Sequence, residues 1–498
     1  MPKKRVVIVG AGPGGLTAGM LLASKGYDVQ LYEKDSAVGG RNQALRLCPY
    51  TFDTVPTFLM MKFILDEVFE LAGRDVHDYL DIRSIDPLYR LEFSGSGKTF
   101  FPTHDRAKMT AQIEQLFPGN SKGLERYMAY EAGKFDKIVP CLQVPYASPL
   151  DYARPRFLGA LPVIDAHFDL FKHLGRYFDD DDLKTSFTFQ AKYLGMSPWE
   201  CPATFSIISY IEHSGGIFHT IGGLNQISHA MARVIEEEGG QIHLDAPVKQ
   251  VIVRGGQAAG VELEGGEQVF ADYVVLNADF AHAMCKLVPG ARLRRWTPQK
   301  LEGKSFSCST FMLYLGIDKV YDEVPHHNII FASDYRRNID EITRSMKLSE
   351  EPSIYIQNAS VTDPTLAPEG HSTIYILVPI ANNRSGIDWA AVKDRYRDKV
   401  LELAETRGKL TDLRQHIVEE RVITPADWES DYNVYRGAVF NLGHTLTQML
   451  YFRPHNAFEE LDRCYLVGGG THPGSGLPTI YESGRISAGL IIKRDAWL

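Results

Sequence analysis

The sequence predicts an α/β fold in which one domain is assembled from separated stretches of the chain, with other segments inserted between them. Two observations carry this prediction. The apolar run Val6–Val9 has the character of a buried strand and leads into a cluster of glycines. A second short apolar run followed by glycines recurs near the other end of the chain, at 465–470. At roughly 150 residues per domain, 498 residues allow about three units of core.

The first element lies at the N-terminus. Residues 6–24 carry no charge and follow three basic residues at 3–5, so hydropathy alone would suggest a signal peptide or a spanning helix. Four glycines and Pro13 fall between positions 10 and 15. Such a cluster would interrupt a spanning helix, whereas it suits a tight turn between two short elements. We therefore predict a strand, a turn and a helix.

The glycines have the G-x-G-x-x-G spacing of a nucleotide-binding turn. They are Gly10, Gly12, Gly14 and Gly15. Gly10 permits the tight turn, Gly12 lets the backbone approach a pyrophosphate, and Gly15 lets the following helix pack on the strand. The segment 28–33 predicts a second strand that ends in Glu33, whose carboxylate is expected to accept hydrogen bonds from ribose hydroxyls. These features predict a Rossmann-like dinucleotide-binding domain.

Composition argues against several other classes of protein. Lys plus Arg number 53 and Asp plus Glu number 62, and a net charge of −9 gives no general attraction for nucleic acid. The six cysteines include no C-x-x-C pair, which disfavours a disulfide framework and a structural zinc site. The adjacent His326 and His327 would project in different directions, and such a pair rarely binds one metal ion. We therefore expect no nucleic-acid partner and no metal, in a reducing compartment.

The segment after Glu33 distinguishes a flavin site from a nicotinamide site. The run from Glu33-Lys34 to Gly39-Gly40-Arg41 resembles the second fingerprint of the amine oxidase and carotenoid desaturase flavoproteins. In that family the glycines and the arginine lie along the FAD diphosphate and flavin. The resemblance therefore implies FAD as the cofactor, with Lys34, Gly40 and Arg41 among its contacts. A guanidinium offers a fixed planar charge for a phosphate or carboxylate.

The C-terminal run 465–478 is more specific. It closely resembles the C-terminal signature of bacterial-type carotenoid (phytoene) desaturases, and only Arg463 departs from the usual Asn or Gly at its position. The pattern predicts a short buried strand, glycines that leave room for a flat ring, and Pro478 as an early residue of a helix. The FAD contacts that the resemblance implies here are Gly469, Thr471, Gly476, Leu477 and Pro478.

Three further segments extend the resemblance. Residues 52–57 resemble the family's F-D-x-G-P-T element beneath the flavin, although Val55 stands where a glycine is usual. Val248 matches a residue that meets the adenine through its backbone, and the run 273–279 returns the chain to the nucleotide domain. The implied FAD contacts in these segments are Pro56, Thr57, Val248 and Asn277.

The order of these motifs predicts the domain organisation. The Rossmann-like FAD-binding domain is expected to be discontinuous and to comprise residues 1–100, 220–300 and 415–498. The inserted mixed-sheet and helical region, associated with substrate and membrane, is expected to comprise residues 101–219 and 301–414. Within it, 311–316 and 372–378 predict strands that wall a lipid channel or an ordinary core. Apolar residues recurring from Phe157 to Phe178 predict a helical stripe, either in the core or facing lipid.

The resemblance implies an FAD-dependent desaturase that introduces conjugated double bonds into an acyclic C30 or C40 carotenoid precursor. A saturated C–C bond offers no group to a nucleophile, so the redox chemistry must come from the cofactor. Asp151 and Arg154 resemble an acidic and basic pair of the family's substrate domain and are the predicted catalytic residues, with a surface ion pair as the alternative. Glu212 and His213 are a second candidate acid/base pair.

Other functions stay open from the sequence. A carotenoid oxygenase that converts a terminal methyl toward an aldehyde has overlapping motifs. A non-catalytic prenyl-lipid carrier is a rival because GDP-dissociation inhibitors resemble this fold without flavin, and an amine or porphyrinogen oxidase would need polar substrate anchors that the sequence does not reveal. We expect a long apolar isoprenoid as substrate and a cytoplasmic protein, peripheral on the inner face of the membrane. Substrate length, number of steps, final electron acceptor and oligomeric state are not predicted.

Overall fold

The computed structural model describes residues 3–496, which form two large sheets and three small ones. The strands are β1 Arg5–Val9, β2 Asp28–Tyr32, β3 Ala44–Leu47, β4 Tyr50–Asp53, β5 Ile82–Ile85, β6 Arg90–Phe93, β7 Lys98–Phe100, β8 Ile217–Thr220, β9 Gln241–His243, β10 Val248–Arg254, β11 Gln257–Leu263, β12 Gln268–Phe270, β13 Tyr273–Leu276, β14 Ser309–Ile317, β15 His327–Phe331, β16 Ile354–Asn358, β17 Ser372–Ile380, β18 Ile417–Ile423 and β19 Cys464–Leu466.

Helices cover the faces of these sheets and build a separate helical segment. They are α1 Pro13–Ser24, α2 Lys62–Leu71, α3 Arg106–Leu116, α4 Ser121–Leu142, α5 Pro155–Ala160, α6 Leu170–Leu174, α7 Asp181–Ser186, α8 Ser206–Gly215, α9 Asn225–Glu237, α10 Phe280–Lys286, α11 Pro298–Glu302, α12 Tyr335–Thr343, α13 Trp389–Thr406, α14 Pro425–Ser430 and α15 Leu477–Ala496. The predicted mixed α/β class is confirmed by this arrangement.

The first large sheet is parallel, with the strand order β19-β13-β1-β2-β9. Val6, Val7 and Ile8 are fully buried, because helices cover one face of this parallel sheet and the three-stranded sheet β10-β11-β12 packs with α10 on the other. Helices α1, α9 and α15 pack together beside it. The predicted strand, turn and helix at the N-terminus are therefore confirmed, and the two ends of the chain meet in one sheet.

The second large sheet is mixed, with the order β18-β14-β17-β16-β15-β6-β7. The two strands predicted at 311–316 and 372–378 are confirmed as β14 and β17, which pair antiparallel. Side chains of β14 alternate between two cores: Met312 and Tyr314 face one, whereas Phe311 and Leu313 face the other, beside α13. Both faces of this strand are consequently buried.

The sheets divide the chain differently from the predicted boundaries at two places. Strands β6 and β7, at 90–100, and strand β18, at 417–423, all belong to the second sheet. Sequence patterns placed these strands with the nucleotide domain because motif order locates an insertion without fixing which sheet its flanking strands join. Strand β6 pairs parallel with β15, a contact between residues about 240 positions apart in the chain.

The predicted stripe from Phe157 to Phe178 is not one helix. The segment forms α5, a 3₁₀ turn at Leu161–Val163 and the short helix α6, with Asp165 in the left-handed region at φ 50°. Its ends have opposite surroundings, since Phe178 is buried in the core while Leu161 is half exposed. Pro162 and the turn at Asp165 break the helical register, so the stripe does not present one continuous face. Among residues 3–496, no helix has the length and apolar character needed to cross a membrane.

Candidate active site

A cavity of about 800 Å³ extends from the end of the parallel sheet to the face of the mixed sheet. Its size is within the range of small-molecule sites. Most of the predicted FAD contacts line it: Gly10, Gly12, Glu33, Lys34, Gly40, Arg41, Pro56, Thr57, Val248, Asn277, Gly469, Gly476, Leu477 and Pro478. Motifs that lie far apart in the sequence therefore converge on one space.

The glycine turn forms the nucleotide end of this cavity. Gly10 has φ +96°, a left-handed conformation that a side chain would strain. A Cβ on Gly15 would lie 2.4 Å from the carbonyl oxygen of Gly10, so only glycine lets α1 approach β1 this closely. The turn leads into the N-terminus of α1, whose amides and partial positive charge suit a phosphate. Gly14 and Gly15 do not line the cavity; they act through packing.

Glu33 stands at the end of β2, where the ribose was predicted. Its carboxylate accepts hydrogen bonds from the backbone N–H groups of Ala11 at 2.7 Å and Asp35 at 3.0 Å. Burial raises the pKa of Glu33, and the two backbone donors oppose that rise. A carboxylate has about four lone-pair sites, so capacity remains for ribose hydroxyls. Val248, whose backbone was predicted to contact the adenine, also lines the cavity.

Arg41 brings the positive charge to the middle of the cavity. Its guanidinium donates to the carbonyl of Val439 at 2.5 Å, and with the Asn441 amide oriented to satisfy both neighbours it also donates to that amide oxygen at 2.9 Å. The Asn441 nitrogen in turn donates to Asp279. Burial lowers the pKa of Arg41, and the Asp279 charge counteracts it. The guanidinium is thus held in place beside the glycines that suit a diphosphate.

The C-terminal loop 468–478 is held by a buried arginine that sequence reasoning did not single out. Arg453 is fully buried and donates to the carbonyls of Gly469 at 2.6 Å and Thr471 at 3.0 Å, and to two further carbonyls. Burial without a carboxylate partner lowers its pKa to about 9. Thr471 does not line the cavity; its hydroxyl donates to the carbonyl of Pro454. Its role is therefore to fix the loop.

Val55, where the resembled family has glycine, fits without strain. It is not among the described residues with positive φ, so the backbone there does not require glycine. Two tyrosines of the mixed sheet fasten this segment: Tyr375 donates to the carbonyl of Val55 at 3.0 Å, and Tyr355 to the Thr57 hydroxyl at 2.8 Å. The sheet that forms the floor of the cavity therefore also positions the element predicted to lie under the flavin.

The remainder of the cavity is lined mainly by apolar side chains. Its lining comes from the segment after Thr57, the C-terminal end of α4, helix α8, the mixed sheet and the loop at Met449. These side chains are Phe58, Met60, Met61, Ile138, Val139, Leu142, Ile207, Ile208, Ile211, Ile329, Tyr355, Leu377 and Met449. Such a lining buries a flexible hydrocarbon chain at about 25 cal/mol per Å² and offers few polar anchors.

The predicted catalytic pair lies elsewhere. Asp151 accepts from the backbone N–H groups of Ala147 at 2.8 Å and Ser148 at 2.9 Å, and forms an ion pair with Arg154 at 2.6 Å. Ser148 and Asp151 make a reciprocal capping box on a 3₁₀ turn. Neither Asp151 nor Arg154 lines the cavity. The geometry favours the surface ion pair, and a catalytic role for these residues stays a prediction.

The second candidate pair, Glu212 and His213, is buried on α8. Burial raises the pKa of Glu212 to about 7 and lowers that of His213 to about 4, so the histidine is neutral at pH 7. Glu212 lies one layer behind the cavity wall, next to Tyr193, which lines it. Sequence patterns do not distinguish this glutamate, because its partners come from distant segments.

Comparison with known proteins agrees with the geometry. The chain belongs to the family of flavin-containing amine oxidoreductases, which matches residues 13–492. It is 49% identical over 505 residues to a 4,4′-diapophytoene desaturase (4,4′-diapolycopene-forming) of Methylomonas sp, covering 99% of this chain and 98% of that protein. It is 33% identical to a lycopene-forming phytoene desaturase of Pseudescherichia vulneris, covering 98% and 99%.

A solved structure shares the fold over the whole chain. Putrescine oxidase bound to putrescine has a TM-score of 0.61 at 16% identity, with 99% of each chain covered. Together with the desaturase relatives, the family shows that the protein is an FAD-dependent oxidoreductase of carotenoid desaturation. The predicted cofactor and activity are thereby confirmed. The protein is an enzyme and not the non-catalytic lipid carrier that the sequence left as an alternative.

Proposed function

We propose that the protein desaturates an acyclic C30 polyprenoid of the diapophytoene type, with FAD in the glycine-lined half of the cavity and the hydrocarbon in the apolar half. The observation that carries this proposal is that both halves form one continuous space. Bound FAD would supply the two-electron acceptor that a saturated C–C bond requires. A carotenoid precursor has no polar anchor, which matches the apolar lining.

The chain's own residues orient and enclose the reactants. Arg41 and the N-terminus of α1 suit the diphosphate, Glu33 the ribose, and the N-terminal end of α15 at Leu477 and Pro478 the pyrimidine edge. Phe58 and Tyr355 line the cavity next to Thr57, so an apolar chain lying there excludes water from the reacting bond. Positioning of this kind supplies a large part of a barrier reduction.

The C30 assignment rests on the 49% identical relative, whose name specifies diapophytoene. Relatives named for C40 phytoene or its products are 33% to 37% identical. The direct test offers both substrates in liposomes to FAD-loaded protein without air and follows loss of the oxidised flavin absorbance. We expect faster reduction by diapophytoene than by phytoene. Faster reduction by phytoene would reverse the assignment, and reduction by neither would contradict the proposed function.

An apolar patch on the surface supports attachment to a membrane. The patch consists of Leu150, Leu158, Leu161, Leu446 and Phe452, whose exposed fractions range from 46% to 79%. Its two segments adjoin, because the Tyr152 hydroxyl lies against the backbone of Tyr451. Met449, between Leu446 and Phe452, lines the cavity, so the patch is next to the substrate space. We propose that this patch enters the cytoplasmic leaflet and admits the substrate.

Vesicle flotation tests this proposal. Substituting glutamate at Leu158 and Leu161 together should abolish flotation with liposomes, because a charge in the acyl region is costly. Leu71→Glu is the matched control, since Leu71 is 46% exposed and lies on α2, outside the patch. Equal flotation of the double variant and the control would show that another surface binds the membrane.

A further inference from the structure

Tyr193 stands in the cavity wall close to the segment predicted to lie under the flavin. Its ring centroid is 5.7 Å from that of Phe58, the residue after Thr57. Its hydroxyl oxygen is buried, yet it has no hydrogen-bond partner among residues 3–496. Buried polar atoms are rarely left unpaired, so this hydroxyl is a candidate for a functional role.

A buried carboxyl group lies one layer behind this cavity wall. Glu212 is fully buried, and its Oε2 accepts hydrogen bonds from the Gln190 amide at 2.9 Å and the Tyr89 hydroxyl at 3.1 Å. Its other oxygen, Oε1, is unpaired in the part of the chain that the structure describes. The neighbouring Tyr193 hydroxyl favours the charged form of this carboxyl. Two unpaired oxygens therefore belong to neighbouring side chains, Tyr193 in the cavity wall and Glu212 behind it.

The reaction needs a group of this kind. Making a C=C bond removes a hydride from one carbon and a proton from its neighbour; the hydride electrons go to the flavin and the electrons of the second C–H bond become the new π bond. The released proton needs an acceptor in a cavity whose substrate half is lined mainly by apolar side chains. Resting on the proposed function, we propose that Tyr193 accepts this proton while passing its own hydroxyl proton to Oε1 of Glu212.

The electrostatics around Glu212 suit this task. Burial raises the pKa of the carboxyl to about 7, which places it at the pH where a general base works best. The groups that face it do not change charge there: the pKa values of Tyr89, Tyr127 and Tyr193 are raised well above 10, and that of His213 is lowered to about 4. Glu212 is therefore the group of this cluster that ionises near neutral pH.

Two other cavity-lining bases are less well placed. His444 accepts the N–H of Ser475 at its Nε2, 3.1 Å away, so its proton is on Nδ1 and that nitrogen cannot take another. Lys192, whose pKa is lowered to about 7 by burial, holds its amine 4.8 Å from the ring centroid of Tyr335. Tyr335 packs on Trp199. Tyr193, by contrast, packs against Phe58, the residue that follows the element predicted to lie under the flavin.

The test measures the desaturation rate against pH for Tyr193→Phe, Glu212→Gln and two comparison variants. The wild-type rate should rise through about pH 7 as Glu212 ionises, and both test variants should lose this rise and be about 10²-fold slower or more. Tyr89→Phe, at a residue that does not line the cavity, removes a donor from the same carboxylate. It should keep the rise and move it to higher pH, because the lost hydrogen bond stabilised the charged form. Lys192→Met should keep the rise in rate at the same pH as in the wild type.

A second readout does not depend on turnover. Infrared titration of the folded protein should show a buried carboxylic acid C=O band that disappears as the pH passes about 7, and Glu212→Gln should lack it. The inference is overturned if Glu212→Gln keeps the wild-type pH profile, if Lys192→Met abolishes it, or if no such band exists. A wild type that converts neither diapophytoene nor phytoene would instead contradict the proposed function.

Discussion

Arg453 donates a hydrogen bond to the carbonyl of Gly469 at 2.6 Å from within the protein core, where no carboxylate of residues 3–496 pairs with its charge. The same guanidinium also donates to the carbonyl of Thr471. Backbone carbonyls of the C-terminal loop thus take the place of an anion. The loop that lines the cavity is consequently stabilised by one side chain with five N–H donors in a fixed plane.

The first prediction concerns that arginine. Arg453→Lys should destabilise the protein by about 3 kcal/mol and lower the FAD content of the purified enzyme, because a lysine cannot reach all four carbonyls. Urea unfolding and the ratio of flavin to protein absorbance measure the two effects. Arg421→Lys is the control, since the Arg421 side chain is 52% exposed. Equal stability of the two variants would show that the loop does not depend on Arg453.

The second prediction concerns the glycine turn. Gly15→Ala places a Cβ 2.4 Å from the Gly10 carbonyl oxygen and should prevent FAD retention by forcing α1 away from β1. Gly133→Ala is the matched control, because Gly133 lies inside helix α4 with no atom within 4 Å of an added Cβ. The control should be more stable than wild type by about 0.5–1 kcal/mol. A flavin-loaded Gly15→Ala protein would contradict the packing role.

Much of the nucleotide domain could be predicted because its information is local. The spacing of Gly10, Gly12 and Gly15 and the acidic Glu33 each specify a backbone shape or a donor within about 25 residues. The strands predicted at 311–316 and 372–378 likewise follow from short-range periodicity, and the structure has both.

Long-range partnerships could not be predicted. In the sequence, Arg453 is one polar residue of a loop. Its role depends on backbone carbonyls that only the fold brings within hydrogen-bond distance. Glu212 meets Tyr89 and Gln190 from separate segments. The Asp151 and Arg154 spacing is equally consistent with a cap and with an active-site pair, since a sequence does not show which pairs line a cavity.

The third prediction distinguishes the two roles considered for Asp151, a cap of its turn and a catalytic residue. If the residue caps its turn, Asp151→Asn should lower stability by about 1 kcal/mol and leave the desaturation rate at the wild-type value, because Asp151 does not line the cavity. Thermal unfolding and initial rates at saturating substrate are the measurements. A large fall in rate with unchanged stability would favour the catalytic role.

The fourth prediction is a dependence of stability on pH. Because the folded state raises the pKa of Glu212 from 4.5 to about 7, the folded protein binds a proton that the unfolded chain releases in this range. Glu212 should therefore cost about 3 kcal/mol of stability as the pH rises from 4.5 to above 7. Glu212→Gln should lack this loss and be the more stable protein at pH 8. Parallel pH curves for the two proteins would contradict the assigned pKa.

The most direct test of the central claim is product analysis. Purified, FAD-loaded protein is incubated with diapophytoene in liposomes, under air and with a quinone, and the products are separated and weighed by mass spectrometry. The account predicts products that have lost two hydrogens for each new double bond and absorb at longer wavelength. Unchanged substrate, or a product that has gained oxygen instead, would contradict it.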